Sequence, residues 1–186
     1  MINGMRLKKL RLDKGYTLAK LSQEIGCTAS FLSQIERGLK EPSLVMLRKL
    51  SDCLSEPIFS LLAAESSADN AYVNDYSIVR AHERKQLTIP DLPVKSEAIT
   101  ISARQNEKRQ MSGIIYRMAP GVFSSEGLIS HKFDECAYVF SGEIEIYFEN
   151  KIEILKQGDC IYINELTRHN FKNISQDEAV LIVFNN

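Results

Sequence analysis

Within residues 28–37, TASFLSQIER, short hydroxyl side chains and one carboxamide recur at helical spacing. Leu32 and Ile35 lie three apart, so they share one face and should pack inward. That turns Ala29, Ser30, Ser33, Gln34 and Arg37 outward. Gln34 carries a donor and an acceptor side by side, the pair an adenine edge accepts. Ala29 and Ser30 are small enough to let a helix approach base edges closely. Thr28, at the helix start with its backbone N–H groups, suits a phosphate. Arg37 and Lys40 offer charge better placed for a phosphate backbone than for bases. Phe31 fits either a thymine methyl or the helix junction, and packing is the reading favoured.

The elements that would position these groups are legible upstream and downstream. Leu18, Leu21 and Ile25 give a second helical pattern, with Thr17 at its N-cap and among the same DNA-facing residues. Gly26 supplies a sharp turn, Thr28 caps the next helix, and Gly38 stops it. This spacing predicts a helix-turn-helix, which sets one helix into the major groove of DNA. Met5 to Lys14 precedes it as helix one, ended by Gly15. Pro42-Ser43 opens helix four over Leu44, Leu47, Leu50 and Leu54, and Pro57 opens a fifth through Leu62. The competing reading is a helical bundle used only for protein contacts.

Charge follows the same division. Residues 1–50 hold ten basic side chains against four acids, a net +6, so the remainder carries −7 of the overall −1. A basic head on an acidic body fits one module that meets phosphates and one that does not. Residues 63–74 are small and polar, as in a linker. From Tyr76 onward short β-rich runs alternate with turn signals: YSIVR, EAITISA, SGIIYRMA, CAYVF, EIEIYF, KIEIL, CIYI and AVLIVF. The expected organisation is a helical domain over 1–65, a linker over 66–75 and an all-β sandwich or barrel over 76–186, an α+β two-domain chain. No apolar leader or span of eighteen residues is present, so the expectation is a cytoplasmic protein without a membrane partner. Cys27, Cys53, Cys136 and Cys160 lack CxxC spacing and read as reduced, mostly buried small residues.

Thr17 to Leu54 resembles the helix-turn-helix family of the phage repressors and many small bacterial regulators (XRE-type). The run SFLSQIERGLKEPSLVMLRKLSDCL, with its -IERG- ending and -PSL- start, carries the likeness. It implies a five-helix head, an internal ion pair between Arg11 and Glu36, and binding to double-stranded DNA at a palindromic operator.

Residues 130–148 (SHKFDECAYVFSGEIEIYF) and 158–173 (GDCIYINELTRHNFKN) resemble the two motifs of a cupin, the double-stranded β-helix or jelly roll. The family pattern places metal ligands at His131, Glu135 and His169, whereas Ile129 stands at the first-histidine position. Two imidazoles and a carboxylate suit one divalent ion (Fe, Mn, Zn or Ni) with open positions. They would equally make a hydrogen-bonded polar cluster in a ligand pocket. Tyr116, Tyr138, Phe140 and Tyr162 are expected to line that pocket, with Arg104 and Arg117 as candidates for an anionic ligand. Alternation admits only one of Tyr116 and Arg117 to the interior. His82 lies outside both motifs, as a surface or inter-domain residue.

The whole pattern is similar to regulators that join such a head to a single cupin. It implies a homodimeric transcriptional regulator, not an enzyme, whose cupin binds a small-molecule effector. The alternative is a non-haem metal-dependent oxygenase or epoxidase that has kept the helical domain.

Overall fold

Asn3, Thr17, Thr28 and Ser43 each accept a hydrogen bond from the backbone N–H three residues on, and each starts a helix. The structure is a computed structural model and describes residues 2–56, 58, 61, 78–84, 86–87, 94–99 and 111–185. The helices are α1 (Gly4–Asp13), α2 (Leu18–Ile25), α3 (Ala29–Glu36) and α4 (Leu44–Leu54). Of the expected fifth helix, Ile58 and Leu61 are helical, and the rest lies outside the described residues. So does the expected linker over 66–75.

The chain divides into a helical unit and a β unit. In the first, Leu7, Leu21, Ile25, Leu32, Ile35, Leu47, Leu50 and Leu54 are buried. Each such side chain contributes about 1.5–3 kcal/mol on leaving water. Leu18, expected inside, is half-buried. Gly26 adopts φ 73°, the left-handed turn that joins α2 to α3. Lys49 of α4 donates to the Ile25 carbonyl at 3.0 Å and closes the exposed C-terminal end of α2. The Arg11–Glu36 pair forms, tying α1 to α3.

Among the described residues, a 3-10 turn at Ala81–Glu83 precedes nine strands. These are β1 (Gln86–Leu87), β2 (Lys95–Ala98), β3 (Ser112–Met118), β4 (Glu135–Ser141), β5 (Glu143–Phe148), β6 (Ile152–Lys156), β7 (Cys160–Ile163), β8 (His169–Asn173) and β9 (Ala179–Asn185). They form two antiparallel sheets, ordered β1-β2-β3-β9-β4-β7 and β6-β5-β8. Their inner faces enclose a core of Met118, Ala137, Val139, Ile144, Ile146, Ile163, Phe171, Leu181 and Val183. This is the two-sheet cupin architecture, the second half of the α+β fold.

Two local expectations need correction. Ile78–Arg80 is not a strand, and β8 is one although no β-rich run announced it. Its residues, HNFKN, owe their extended form to pairing with β5, with His169 opposite Phe148 and Phe171 opposite Ile146. The cysteines are also less buried than expected: Cys27, Cys53 and Cys136 are half-buried and Cys160 is exposed. No helix among the described residues is long and apolar enough to cross a membrane.

Candidate nucleic-acid interface and candidate metal centre

On α3 the inward pair Leu32 and Ile35 is fully buried, and Glu36 joins it. The opposite side presents Ser30 and Arg37 exposed, with Ala29, Ser33, Gln34 and Phe31 half-buried. Thr28 is exposed, and its hydroxyl accepts from the Phe31 N–H at 3.1 Å, so the side chain is engaged as a cap. That leaves the N–H groups of Ala29 and Ser30 to meet an anion. Thr17 does the same for Lys20 at 3.1 Å. Arg37 donates from Nε to the Ser33 carbonyl, which lays its guanidinium back along the helix. Lys40 is exposed just beyond.

In the β unit, His131 enters before β4, Glu135 opens β4 and His169 opens β8. All three are buried, and their ligand atoms lie within 4.8 Å of one another. Phe133 O lies 2.7 Å from His131 Nδ1, and Thr167 O lies 2.9 Å from His169 Nδ1. A carbonyl only accepts, so each Nδ1 must donate, which leaves each Nε2 as the atom that can hold a proton or bind a cation. Both Nε2 atoms point at Glu135, 3.4 Å from one or other carboxylate oxygen. Asn185 donates to Glu135 Oε2 at 2.8 Å and fixes the carboxylate. Phe133 stacks on the His131 ring at 4.1 Å between centroids, and Phe171 meets the edge of His169.

Burial works against an ionised Glu135, but the two imidazoles outweigh it and hold its pKa at about 2. Burial likewise opposes a charged His169, yet the carboxylate beside it raises its pKa above the ordinary value.

His131 Nε2 and Glu135 Oε1 are buried with no hydrogen-bond partner. Such atoms cost about 1–3 kcal/mol each unless something satisfies them. Donors about 2.1 Å from a common ion stand about 3.4 Å apart at a tetrahedral angle. The two 3.4 Å histidine–carboxylate spacings and the orphaned donors are therefore compatible with a divalent cation. Ile129 bridges to His169 through both backbone bonds, and its side chain offers no ligand.

The aromatic residues divide. Tyr116 packs against the core, so it takes the interior and Arg117 faces out, 3.4 Å from both Glu97 and Glu178. Tyr138, Phe140 and Tyr162 do not line the interior expected of them. They lie on the outer face of the six-stranded sheet, Phe140 58% and Tyr162 61% exposed. Strand alternation explains this, since Glu135, Ala137 and Val139 take the inner positions of β4. His82 is exposed, and Arg104 lies outside the described residues. Asn185 was missed altogether: it lies 50 residues from Glu135, and nothing in its local sequence points there.

The chain matches the helix-turn-helix family over residues 7–61 and the cupin domain over residues 114–185. It is 32% identical to the HTH-type transcriptional regulator SutR of Escherichia coli (strain K12), over 90% of this chain and 84% of that protein. It belongs to the helix-turn-helix transcriptional regulators that carry a cupin domain. The head alone is 42% identical to the HTH-type transcriptional regulator SinR of Bacillus subtilis (strain 168), over 32% of this chain. That match spans about half, 54%, of SinR. Among solved structures, an HTH_3 family transcriptional regulator from Vibrio cholerae superposes with TM-score 0.65 at 19% identity, covering 98% of this chain and 93% of that one. Hydroxypropylphosphonic acid epoxidase from S. wedmorenis superposes with TM-score 0.51 at 21% identity, covering 98% of this chain and 96% of that one. Both likenesses concern the fold.

Proposed function

We propose that this regulator binds a palindromic operator as a homodimer in the cytoplasm, and that a small molecule taken up by the cupin modulates its affinity. The observation that carries the reading is the outer face of α3. Ser30, Ser33 and Gln34 face outward beyond a buried apolar seam, on a helix whose first turn has free N–H groups. Gln34 would read a base edge, Ser30 and Ser33 would approach others, and Thr17, Thr28, Arg37 and Lys40 would hold the phosphate backbone. One head has a single basic residue at the far end of its reading helix, so specific binding calls for two heads on related half-sites.

His131, Glu135 and His169 would hold a divalent cation, which when bound would offer open coordination positions to an effector with oxygen or anionic donors. Asn185 and the two backbone carbonyls keep those ligands oriented. For the dimer, the outer sheet face is the favoured surface, because Tyr138, Phe140 and Tyr162 expose apolar area beside Ile182 and Phe184.

The test is an electrophoretic shift with genomic fragments at stated salt, with and without metabolite extract. A sequence-specific band whose strength responds to the extract supports the reading, and no specific band in either condition defeats it.

A second reading, a metal-dependent cupin enzyme, is favoured by the orphaned donors of His131 and Glu135. Stoichiometric iron with oxygen consumption in the purified protein, lost in His131→Ala while DNA binding persists, would select it.

A further inference from the structure

Cys136 lies on β4 and Cys160 on the neighbouring strand β7. The register pairs Cys136 with Tyr162 and Tyr138 with Cys160, so the two cysteines sit diagonally across the ladder on the same face. Their Sγ atoms are 3.3 Å apart and unbonded. Glu135 and Ala137 point into the barrel, so this face is the outer one. Cys160 is exposed and Cys136 half-buried. β7 is also the edge strand of its sheet, so a reagent can reach Cys160 from the rim. Neither the operator-reading surface nor the cation centre uses these thiols; they share the outer face proposed for the dimer, so the site is open to a reagent when that face is uncovered.

We propose that Cys136 and Cys160 form a reversible dithiol–disulfide site, closed by a peroxide. The exposed Cys160 sulfur, as thiolate, attacks one peroxide oxygen. The O–O bond breaks, Cys160 becomes a sulfenic acid and hydroxide leaves. The Cys136 thiolate then attacks the Cys160 sulfur. The S–O bond breaks, the S–S bond forms and a second hydroxide leaves. The two thiol protons combine with the two hydroxides. Two thiols and one hydrogen peroxide thus give one disulfide and two waters, the peroxide taking both electrons.

A disulfide has sulfurs about 2.05 Å apart, so the pair must close by about 1.3 Å, a movement within reach of side-chain rotation and a small shift of an edge strand. Cys136 already touches the sulfur that would be oxidised, which favours its attack over further oxidation of Cys160. The new bond links residues 24 apart, across the β5–β6 hairpin, and staples β7 to β4. Such a loop restricts the unfolded chain and should raise the thermal midpoint of the β unit.

The experiment treats the reduced full-length protein with hydrogen peroxide, then measures intact mass, free thiols and a non-reducing peptide map. The expected result is loss of the mass of two hydrogens, a fall from four reactive thiols in the unfolded protein to two, and a cross-linked peptide pair holding Cys136 and Cys160. Dithiothreitol should restore all four. Cys160→Ser and Cys136→Ser should each abolish the mass loss, and the double variant Cys27→Ser/Cys53→Ser should retain it. Cys160 is exposed, so its serine variant keeps the test valid if Cys136→Ser misfolds. Oxygen addition without loss of two hydrogens, a mass loss that survives in Cys160→Ser, or linkage only between two chains would each overturn the proposal.

Discussion

Arg11 and Glu36 meet as a two-pronged buried ion pair: Nε donates to Oε1 at 2.6 Å and Nη2 donates to Oε2 at 3.0 Å. Nη1 also donates to the Tyr16 carbonyl at 2.8 Å, so one guanidinium ties α1, the following turn and the end of α3 together. The close approach needs Gly4, where a Cβ would stand 2.4 Å from the Glu36 carbonyl oxygen. The pair therefore fixes α1 against the C-terminal end of α3.

Glu36→Ala strands a buried guanidinium, and removing one partner of such a pair costs about 3–5 kcal/mol. Urea denaturation followed by far-ultraviolet circular dichroism should show the helical unit destabilised by that amount. Arg11→Lys should also destabilise it, because an ammonium lacks the fork that engages both carboxylate oxygens. A loss below about 1 kcal/mol in Glu36→Ala would remove the pair from its structural role.

Base reading and phosphate holding make separable predictions. Gln34→Ala should weaken the preferred operator by about 1–3 kcal/mol per half-site, about 5- to 150-fold each, while leaving non-specific DNA nearly unaffected. Lys40→Ala should weaken both and reduce the salt slope by about two, because each head of the dimer leaves one phosphate no longer neutralised. Fluorescence anisotropy across several salt concentrations reads both effects. Equal losses on operator and random DNA for Gln34→Ala would place that side chain away from the bases.

Local chemistry made the helical unit easy to read. Thr17, Thr28 and Ser43 were visible as caps, Gly26 as a turn, and Leu32 and Ile35 as one face, because each signal lies within four residues of what it controls. In the β unit the signals are nonlocal. Parity alone says that Glu135 and Tyr138 cannot both face inward on β4, so the outward aromatics were within reach of the sequence. Choosing between Tyr116 and Arg117 was not: it depends on Leu181, which pairs with Tyr116 from β9. The Asn185 bond to Glu135 and the strand carrying His169 likewise exist only through distant pairing.

The outer sheet face predicts a dimer that charge should disrupt. Tyr138→Asp with Phe140→Asp places two carboxylates on that surface and leaves the inner residues Ala137 and Val139 untouched. Sedimentation should show the dimer dissociating at concentrations at least about tenfold higher than for the parent. Operator binding should weaken with it, because each head then binds alone. An unchanged dimer would move the interface elsewhere.

The substitution Gly142→Ala tests the joint between β4 and β5. Gly142 sits at φ 88°, and an added Cβ would lie 2.7 Å from Ala179 Cβ and 2.8 Å from Ser175 Oγ. Left-handed strain and a clash with a neighbouring strand act together there. The β unit should lose about 1–3 kcal/mol, seen as a lower thermal midpoint, with the helical unit unaffected.

Protons and a divalent cation should compete for the same three side chains. Glu135 raises the His169 pKa above its ordinary 6.5, so at a pH below that raised value the cation must displace a proton from the imidazole. Calorimetric titration with Zn²⁺ or Mn²⁺ should therefore show affinity falling as pH drops through that raised value, about tenfold per unit below it. Without metal the signs differ. Glu135 is depressed from 4.5 to about 2, so its contribution is present above 4.5 and is lost as pH falls toward 2. The raised His169 contributes below 6.5, and its share is lost as pH rises through its folded value. The metal-free β unit should then be most stable between these limits. Glu135→Gln should flatten both flanks and remove cation binding, and a parent profile without either flank would show that the three side chains do not interact as charges.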